Sequence, residues 1–256
     1  MRRLLQKVRR LARAIIGKDF FPRLELHCRT EHFGSDYGGW DVAIEGIDHR
    51  TIVYSFGIGE DVTFDLALIE RFGLTVHAFD PTPRSLRWVQ QQIVPPSFVV
   101  HGYGLADRDG SFSFFPPANP DHVSHTILAR SSTEEQAIQV PMKRLDTIMQ
   151  ELGHQHIDLL KLDIEGAEYE VIEELERSDL RPGQLLVEFH HRFPEVGIAR
   201  TKAALAALRR MDYRLFAVSS TGEEYGFVRI SSSPPSDPRA SPAAVRTTPA
   251  AQADGA

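Results

Sequence analysis

In "VYSFGIGEDVTFD", residues 53–65, an apolar run stops at two glycines, Gly57 and Gly59, and an acidic start to an amphipathic segment follows. Glycines at such a point let a ligand approach the backbone closely. The next apolar run, "VHAFDPTP", ends in Asp80, 21 positions after Gly59. That is near the spacing at which an acid reaches a ribose, and a carboxylate can accept hydrogen bonds from both ribose hydroxyls. A pyrophosphate cradle would need a third glycine where Val62 stands, and no Gly-Lys-Ser/Thr follows. Dinucleotides and nucleoside triphosphates are therefore disfavoured. A ribose-bearing ligand without a pyrophosphate fits best.

Further acids close later apolar runs. Asp163 and Glu165 follow "DLLKL", and Glu188 and His190 end "QLLVEFH" with alternate spacing, so that they share a face. Either Glu188 or His190 could take a proton from a hydroxyl, and histidine is the usual choice near neutral pH. His191 reads as a surface or packing residue. Asp163 and Glu165 are read against helix N-terminal capping, and Glu168 and Glu170 as solvated. The loop 116–136 holds "NPDHVSHT", where His122, Ser124 and His125 could close over an acceptor. The two histidines lack a third ligand for zinc, and magnesium between Asp163 and Glu188 is a lesser alternative. No metal is expected. In "GSDYGGW", Tyr37 and Trp40 beside glycines suit either a cap over a ligand or core packing.

These residues require a scaffold that brings strand ends together. Strand-like runs at 51–56, 75–79, 97–101, 157–162, 184–189, 213–218 and 224–230 alternate with helical patterns at 61–72, 83–93, 144–152, 166–177 and 196–211. Runs at 111–115 and 137–142 predict an inserted hairpin, with Asp109-Gly110 at a turn. The alternation implies an α/β, doubly wound, Rossmann-like fold: a seven-stranded, mostly parallel sheet whose last two strands pair at one edge. Ligands of such sheets bind at the carboxyl ends of the strands, at the topological switch point. Asp61 is a plausible N-cap for the helix after the glycines.

The two ends of the chain differ from this middle. Residues 1–20 hold seven Lys/Arg and one acid, so they carry +6 and leave −12 on the rest of a chain whose net charge is −6. An acidic body argues against a nucleic-acid reader. Leu4, Leu5, Val8, Leu11, Ala12, Ile15 and Ile16 fall on one helical face and Arg2, Arg3, Lys7, Arg9, Arg10 and Arg13 on the other. Three readings stay open: a helix lying on an anionic membrane, a helix docking its apolar stripe on the body, or an Arg-rich targeting peptide. Residues 21–230 form the folded domain, and 231–256, rich in Ser, Pro and Ala, are expected to be disordered. A single cysteine fits a reducing, cytoplasmic compartment. No apolar run is long enough to span a bilayer, so any membrane association would be peripheral.

"DLLKLDIEGAEYEVIEEL", residues 158–175, resembles the signature block of FkbM-type methyltransferases. "VYSFGIGEDVTFD", "VHAFDPTP", "GLADRDG", "VPMKRLDTIM" and "QLLVEFHHRF" resemble neighbouring blocks of that family in the same order. The likeness is greatest to the branch with the eukaryotic methyltransferase-like proteins and covers roughly residues 35–230. It implies a class I methyltransferase core that uses S-adenosylmethionine (SAM), usually for O-methylation, here of a sugar, glycolipid or secondary metabolite. It places Asp163 near the methionine moiety or the acceptor. In such a core Leu105 would pack on the adenine and Asp107 would meet its edge. Where many methyltransferases hold the methionine amine with an acid, this chain has Ser55, so backbone carbonyls near Gly57, with Glu60 or Asp61, would take over. The competing reading is a non-catalytic SAM- or nucleotide-binding scaffold.

Overall fold

The computed structural model describes residues 2–115, 137–193 and 195–230. Its main sheet has seven strands: β3 (Ile52–Phe56), β4 (Thr75–Phe79), β5 (Phe98–His101), β9 (Leu159–Leu162), β10 (Gln184–Glu188), β11 (Tyr213–Val218) and β12 (Glu224–Arg229). They lie in the order β11-β12-β10-β9-β3-β4-β5. The first five of these in sequence are parallel, and β12 runs antiparallel to both β10 and β11. This is the expected doubly wound sheet with its terminal hairpin at one edge. The chain reverses winding direction at β3, whose neighbours are β4 and β9. The switch point therefore lies at the end of "IVYSF".

Alternation along the strands sends side chains into two cores. On one face Tyr54, Phe56, Leu160, Leu162, Leu185 and Val187 pack beneath α4 (Leu145–Leu152), α5 (Glu168–Arg177) and α6 (Gly197–Arg210). On the other, Val53, Leu159, Leu186 and Val76 pack against Phe64 and Leu68 of α2 (Thr63–Phe72) and against Val42. Ser55 and Lys161 are register partners on that second face, two polar residues in an otherwise apolar layer. The short α3 (Pro83–Val89) has proline in its first turn, where the missing N–H costs nothing.

Three local features differ from the sequence reading. "GSDYGGW" is the connection of a hairpin, β1 (Thr30–Phe33) with β2 (Trp40–Ala43), whose strands were not anticipated. The inserted pair is present as β7 (Gly110–Phe114) and β8 (Ile138–Lys143), and β6 (Gly104–Leu105) joins β8 in parallel. Asp109 is accordingly no hairpin turn. It accepts hydrogen bonds from Arg144 N at 2.7 Å and Thr147 Oγ1 at 2.9 Å, tying the insertion to the start of α4.

The N-terminal helix α1 (Arg2–Ile15) settles one open alternative. Gln6, Arg10 and Ala14, spaced by one turn each, face the body, while Val8, Leu11, Ile15 and Ile16 are exposed. The idea that α1 docks by its apolar stripe is thus overturned. Arg10 is the reason: its guanidinium donates to Asp19 Oδ1 at 3.4 Å, Phe20 O at 2.8 Å and Ser219 O at 3.3 Å. A buried acid with hydrogen-bonding partners outcompetes the stripe for the contact.

Candidate active site

A cleft of about 1320 Å³ opens over the carboxyl ends of β3, β4, β9 and β10. One small-molecule ligand typically fills 300–1,000 Å³, so there is room for a donor and an acceptor together. Gly57, Gly59, Asp80, Leu105, Asp163 and Glu188 line it. The structure therefore brings together six of the residues singled out from sequence.

The two glycines have different work. Gly57 takes φ +88°, and a Cβ there would lie 2.0 Å from the carbonyl oxygen of Asp163. Its bareness serves the approach of β3 to the end of β9, not a ligand. Gly59 takes φ +56°, and a Cβ there would meet nothing within 4 Å. Open space over a left-handed residue is what a ligand approaching the backbone needs.

Asp80 is buried and engaged on both oxygens. Oδ2 accepts from Ile58 N and Gly59 N at 3.1 Å each, and Oδ1 accepts from Thr82 N at 2.8 Å and Thr82 Oγ1 at 2.6 Å. It thereby clamps the turn after β3 to the turn after β4. Thr82 Oγ1 also lies 2.9 Å from Ser85 Oγ, so this hydroxyl can turn away from Asp80 and stay paired.

The acids assigned to an amine are already occupied. Glu60 pairs with Arg84 at 2.8 Å. Asp61 accepts from Thr63 N at 2.8 Å and from Ser35 Oγ at 2.7 Å. Burial alone would raise its pKa, but these hydrogen bonds outweigh that and hold it below the usual carboxylate value. Asp61 lies one residue before Val62, the N-cap position of α2, yet its bond to Thr63 N does the work of a cap. The carbonyls near Gly57 are also taken, since Lys161 Nζ donates to Phe56 O at 3.2 Å and Gly57 O at 2.9 Å. Ser55 is buried in the sheet and does not line the cleft.

Two residues of the floor were missed. Asp65, on α2, is buried, lines the cleft, and leaves Oδ1 without a hydrogen-bond partner among the described residues. Burial pushes its pKa up to about 6, while Lys161 and the nearby Ser55 hydroxyl pull the other way. Ser55 Oγ itself lacks a well-formed hydrogen bond. Lys161 is buried too, 3.8 Å from Asp163 Oδ2 and 5.6 Å above the Trp40 ring. The available signals were a lysine inside "LLKL" and an acid three residues before Leu68, on the buried face of α2.

On the β9–β10 side the carboxylates crowd. Glu188 is directly opposite Glu224 across the β10–β12 ladder, an unfavourable like-charge pair. Burial first, and Asp163 next, hold the Glu188 carboxyl well above the usual range. His190 departs from the expectation of a neutral proton acceptor. Its Nδ1 lies 3.2 Å from Glu168 Oε1 and its Nε2 3.4 Å from Glu165 Oε2. Burial opposes a charge on the ring, but Glu168 and Glu165 outweigh it and hold its pKa well above the ordinary histidine value. The two carboxylates thus favour the charged form of the imidazole, which does not line the cleft. Glu168, read as solvated, is 0 % exposed and accepts from Gly166 N at 2.8 Å and His190 N at 2.9 Å. Glu170 pairs with Arg200. Glu165 adopts φ +51°, uncommon for a residue with a side chain and a mark of a constrained site.

Donor atoms of Asp163, Glu165 and His190 all lie within 4.8 Å of one another, a mixed set that a divalent cation could use. His191 is a packing residue, edge-on to Phe20 at 6.1 Å, with its pKa lowered to about 4 by burial. Asp107 lies outside the cleft lining and pairs with Arg108 at 3.3 Å. Trp40 is buried, whereas Tyr37 stands 82 % exposed at the rim. His122, Ser124 and His125 fall outside the described residues.

The sheet order, the glycine turn and the acid-lined cleft define the core of a class I methyltransferase. Residues 51–215 match the Methyltransferase FkbM domain, and the chain belongs to that family. It is 29% identical over 213 residues to the rat "Probable methyltransferase-like protein 24", covering 78% of this chain and 50% of that one. The human protein of the same name is 28% identical over 174 residues, covering 64% and 41%. The chain thus spans half or less of the length of these relatives. A crystal structure of methyltransferase FkbM from Methylobacillus flagellatus KT aligns with TM-score 0.45 and 14% identity, over 72% of this chain and 45% of that one.

Proposed function

We propose that the protein is a SAM-dependent O-methyltransferase acting on a hydroxyl of a sugar, glycolipid or secondary metabolite. The observation that carries the reading is the unpartnered oxygen of Asp65, a buried acceptor on the floor of a cleft large enough for two ligands. A buried acid without a partner costs stability, and an ammonium such as the one on the methionine end of SAM would satisfy it. Asp65 then does the task that Ser55 cannot, and Lys161 offers the opposite charge for the carboxylate beside it. Asp80 can accept a ribose hydroxyl if Thr82 Oγ1 turns to Ser85. Leu105 supplies apolar surface for the base.

Bound SAM would supply a methyl group on a sulfonium centre. The chain's own contribution is alignment, exclusion of water and proton removal. Glu188 is the best-placed proton acceptor. Burial first, and Asp163 next, raise its pKa, which makes its carboxylate a stronger proton acceptor than an ordinary glutamate. Asp163, between Lys161 and the acceptor side of the cleft, orients the incoming hydroxyl.

Titration calorimetry with SAM, its demethylated product and NAD tests the ligand. We expect SAM and its product to bind and NAD to bind more weakly; the reverse order sinks the reading. Asp65→Asn should weaken SAM binding by about 1–3 kcal/mol, the scale of losing a charged partner in a buried site.

A further inference from the structure

Helix α1 is mounted with the wrong face outward for a helix that only stabilises its own domain. Its polar side is docked: Arg10 is buried on Asp19, Phe20 O and Ser219 O, and Ser220 Oγ donates to Gln6 Oε1 at 2.7 Å. Arg192 reinforces the same acid, reaching Asp19 Oδ2 at 2.8 Å. Gly222 leaves room for this contact, because a Cβ there would lie 2.2 Å from Arg10 Nε. Outward, Val8 (57 % exposed), Leu11 (53 %), Ile15 (78 %) and Ile16 (66 %) form an apolar stripe that is unpartnered among the described residues. Lys7, Arg9, Arg13 and Lys18 flank it, all exposed.

We infer that this face seats the protein on an anionic lipid bilayer. A large apolar stripe edged by Lys and Arg is the pattern of a helix lying in the plane of a membrane interface, with burial and attraction to anionic headgroups acting together. A second copy of the chain is a poorer occupant. Among the described residues the other exposed large hydrophobics are Phe21, Leu24, Tyr37, Ile93 and Ile230, too scattered to cover the stripe. Pairing two stripes would bring their basic flanks together.

The cleft adds a consequence. Lys7, Arg10, Leu11 and Phe21 are among its lining residues, so Leu11 belongs both to the stripe and to the cleft wall. A helix bound in the interface would hold the cleft mouth at the headgroup level. The acceptor class that fits is a hydroxyl on a lipid headgroup or a lipid-linked sugar. This acceptor assignment rests on the methyltransferase reading, whereas the membrane contact does not.

Sedimentation with phosphatidylcholine vesicles, with and without phosphatidylglycerol, tests the contact in the absence of any cofactor. The full chain should bind the anionic vesicles, bind neutral ones at least tenfold more weakly, and release as salt shortens the screening length. Arg9→Gln and Arg13→Gln should each weaken binding about fivefold, from roughly 1 kcal/mol per basic residue at the surface. The triple variant Val8→Glu, Ile15→Glu, Ile16→Glu should abolish binding with its melting temperature and affinity for the demethylated product unchanged, since none of the three lines the cleft. Two results would overturn the proposal: no binding of the full chain to anionic vesicles at low salt, or a dimer in solution that the triple variant dissolves while vesicle binding stays at background. Failure of SAM to bind would leave the vesicle result standing and remove only the acceptor assignment.

Discussion

The acids above β3 and β4 and those above β9 and β10 are held in opposite ways. On the first side Asp80 has four protein donors, Asp61 has Thr63 and Ser35, and Glu60 has Arg84. On the second side Asp163, Glu165, Glu188 and Glu224 converge, and the cations near them, Lys161 and His190, are largely committed to backbone carbonyls and to Glu168. Satisfied groups make a rigid frame, whereas the crowding leaves Glu188 with its pKa displaced upward and suited to proton transfer. The first side looks built to shape a site and the second to react in it.

The largest effect should come from the reactive side. Glu188→Gln should cut turnover by about 10²–10⁴-fold, the usual loss of a positioned base, with affinity for SAM nearly kept. His190→Gln should instead lower the melting temperature, because it removes the positive partner of buried Glu168. Single-turnover kinetics and thermal melts on both variants separate the roles. If His190→Gln retains its stability and loses turnover while Glu188→Gln stays active, the assignments are reversed. Turnover that survives EDTA keeps Asp163, Glu165 and His190 as an ion-paired cluster. Loss restored by magnesium would make them a metal site.

Next in size is Gly57→Ala. The left-handed backbone costs about 1–2 kcal/mol and overpacking against the Asp163 carbonyl about 1–3 more, so about 2–5 kcal/mol is expected. That is a large part of a typical domain's stability. Urea unfolding measures it, and a loss under 1 kcal/mol would mean that the ends of β3 and β9 are not closely joined.

Much of this frame was legible in the sequence. Apolar runs of strand length, with glycine and acid at their ends, located five parallel strands and the switch point, because burial on both faces leaves a pattern of that kind. What stayed hidden were polar residues placed on apolar faces. The task of Asp65 shows only once Ser55 and Lys161 are found near it, and Glu168 reads as solvated until His190 is seen beside it. Sequence periodicity marks which side of α1 is apolar but is silent on which side docks. That was decided by Arg10 and Asp19, nine residues apart, which pair with each other and meet Ser219 and Arg192 far along the chain.

A smaller effect tests the exception to the satisfied side. Asp65 has its pKa raised from 3.8 to about 6, so between those values the folded state holds a proton that the unfolded chain has lost. The folded state therefore binds more protons, and stability falls as pH rises through this window and levels off above it. The difference amounts to about 3 kcal/mol at most. Asp65→Asn cannot ionise, so its stability relative to the parent should grow between pH 4 and pH 7. Parallel unfolding curves at the two pH values, with no change in the gap, would place Asp65 in contact with water or a cation.

The smallest expected change in stability is that of Gly59→Ala, and it is the most direct comparison with Gly57→Ala. Both positions have positive φ, so both substitutions carry the backbone term of about 1–2 kcal/mol. Only Gly57 adds a steric clash, because a Cβ at Gly59 meets nothing. The melting temperature of Gly59→Ala should therefore fall by only a few degrees, given about 2–4 °C per kcal/mol for a domain of this size. If the space over Gly59 belongs to the ligand, the same methyl group should reduce affinity for the demethylated product by at least tenfold in a folded protein. Calorimetry on the purified variant reads that loss. Unchanged affinity would move the ligand away from the β3–α2 turn, and the tight turn would then account for both glycines.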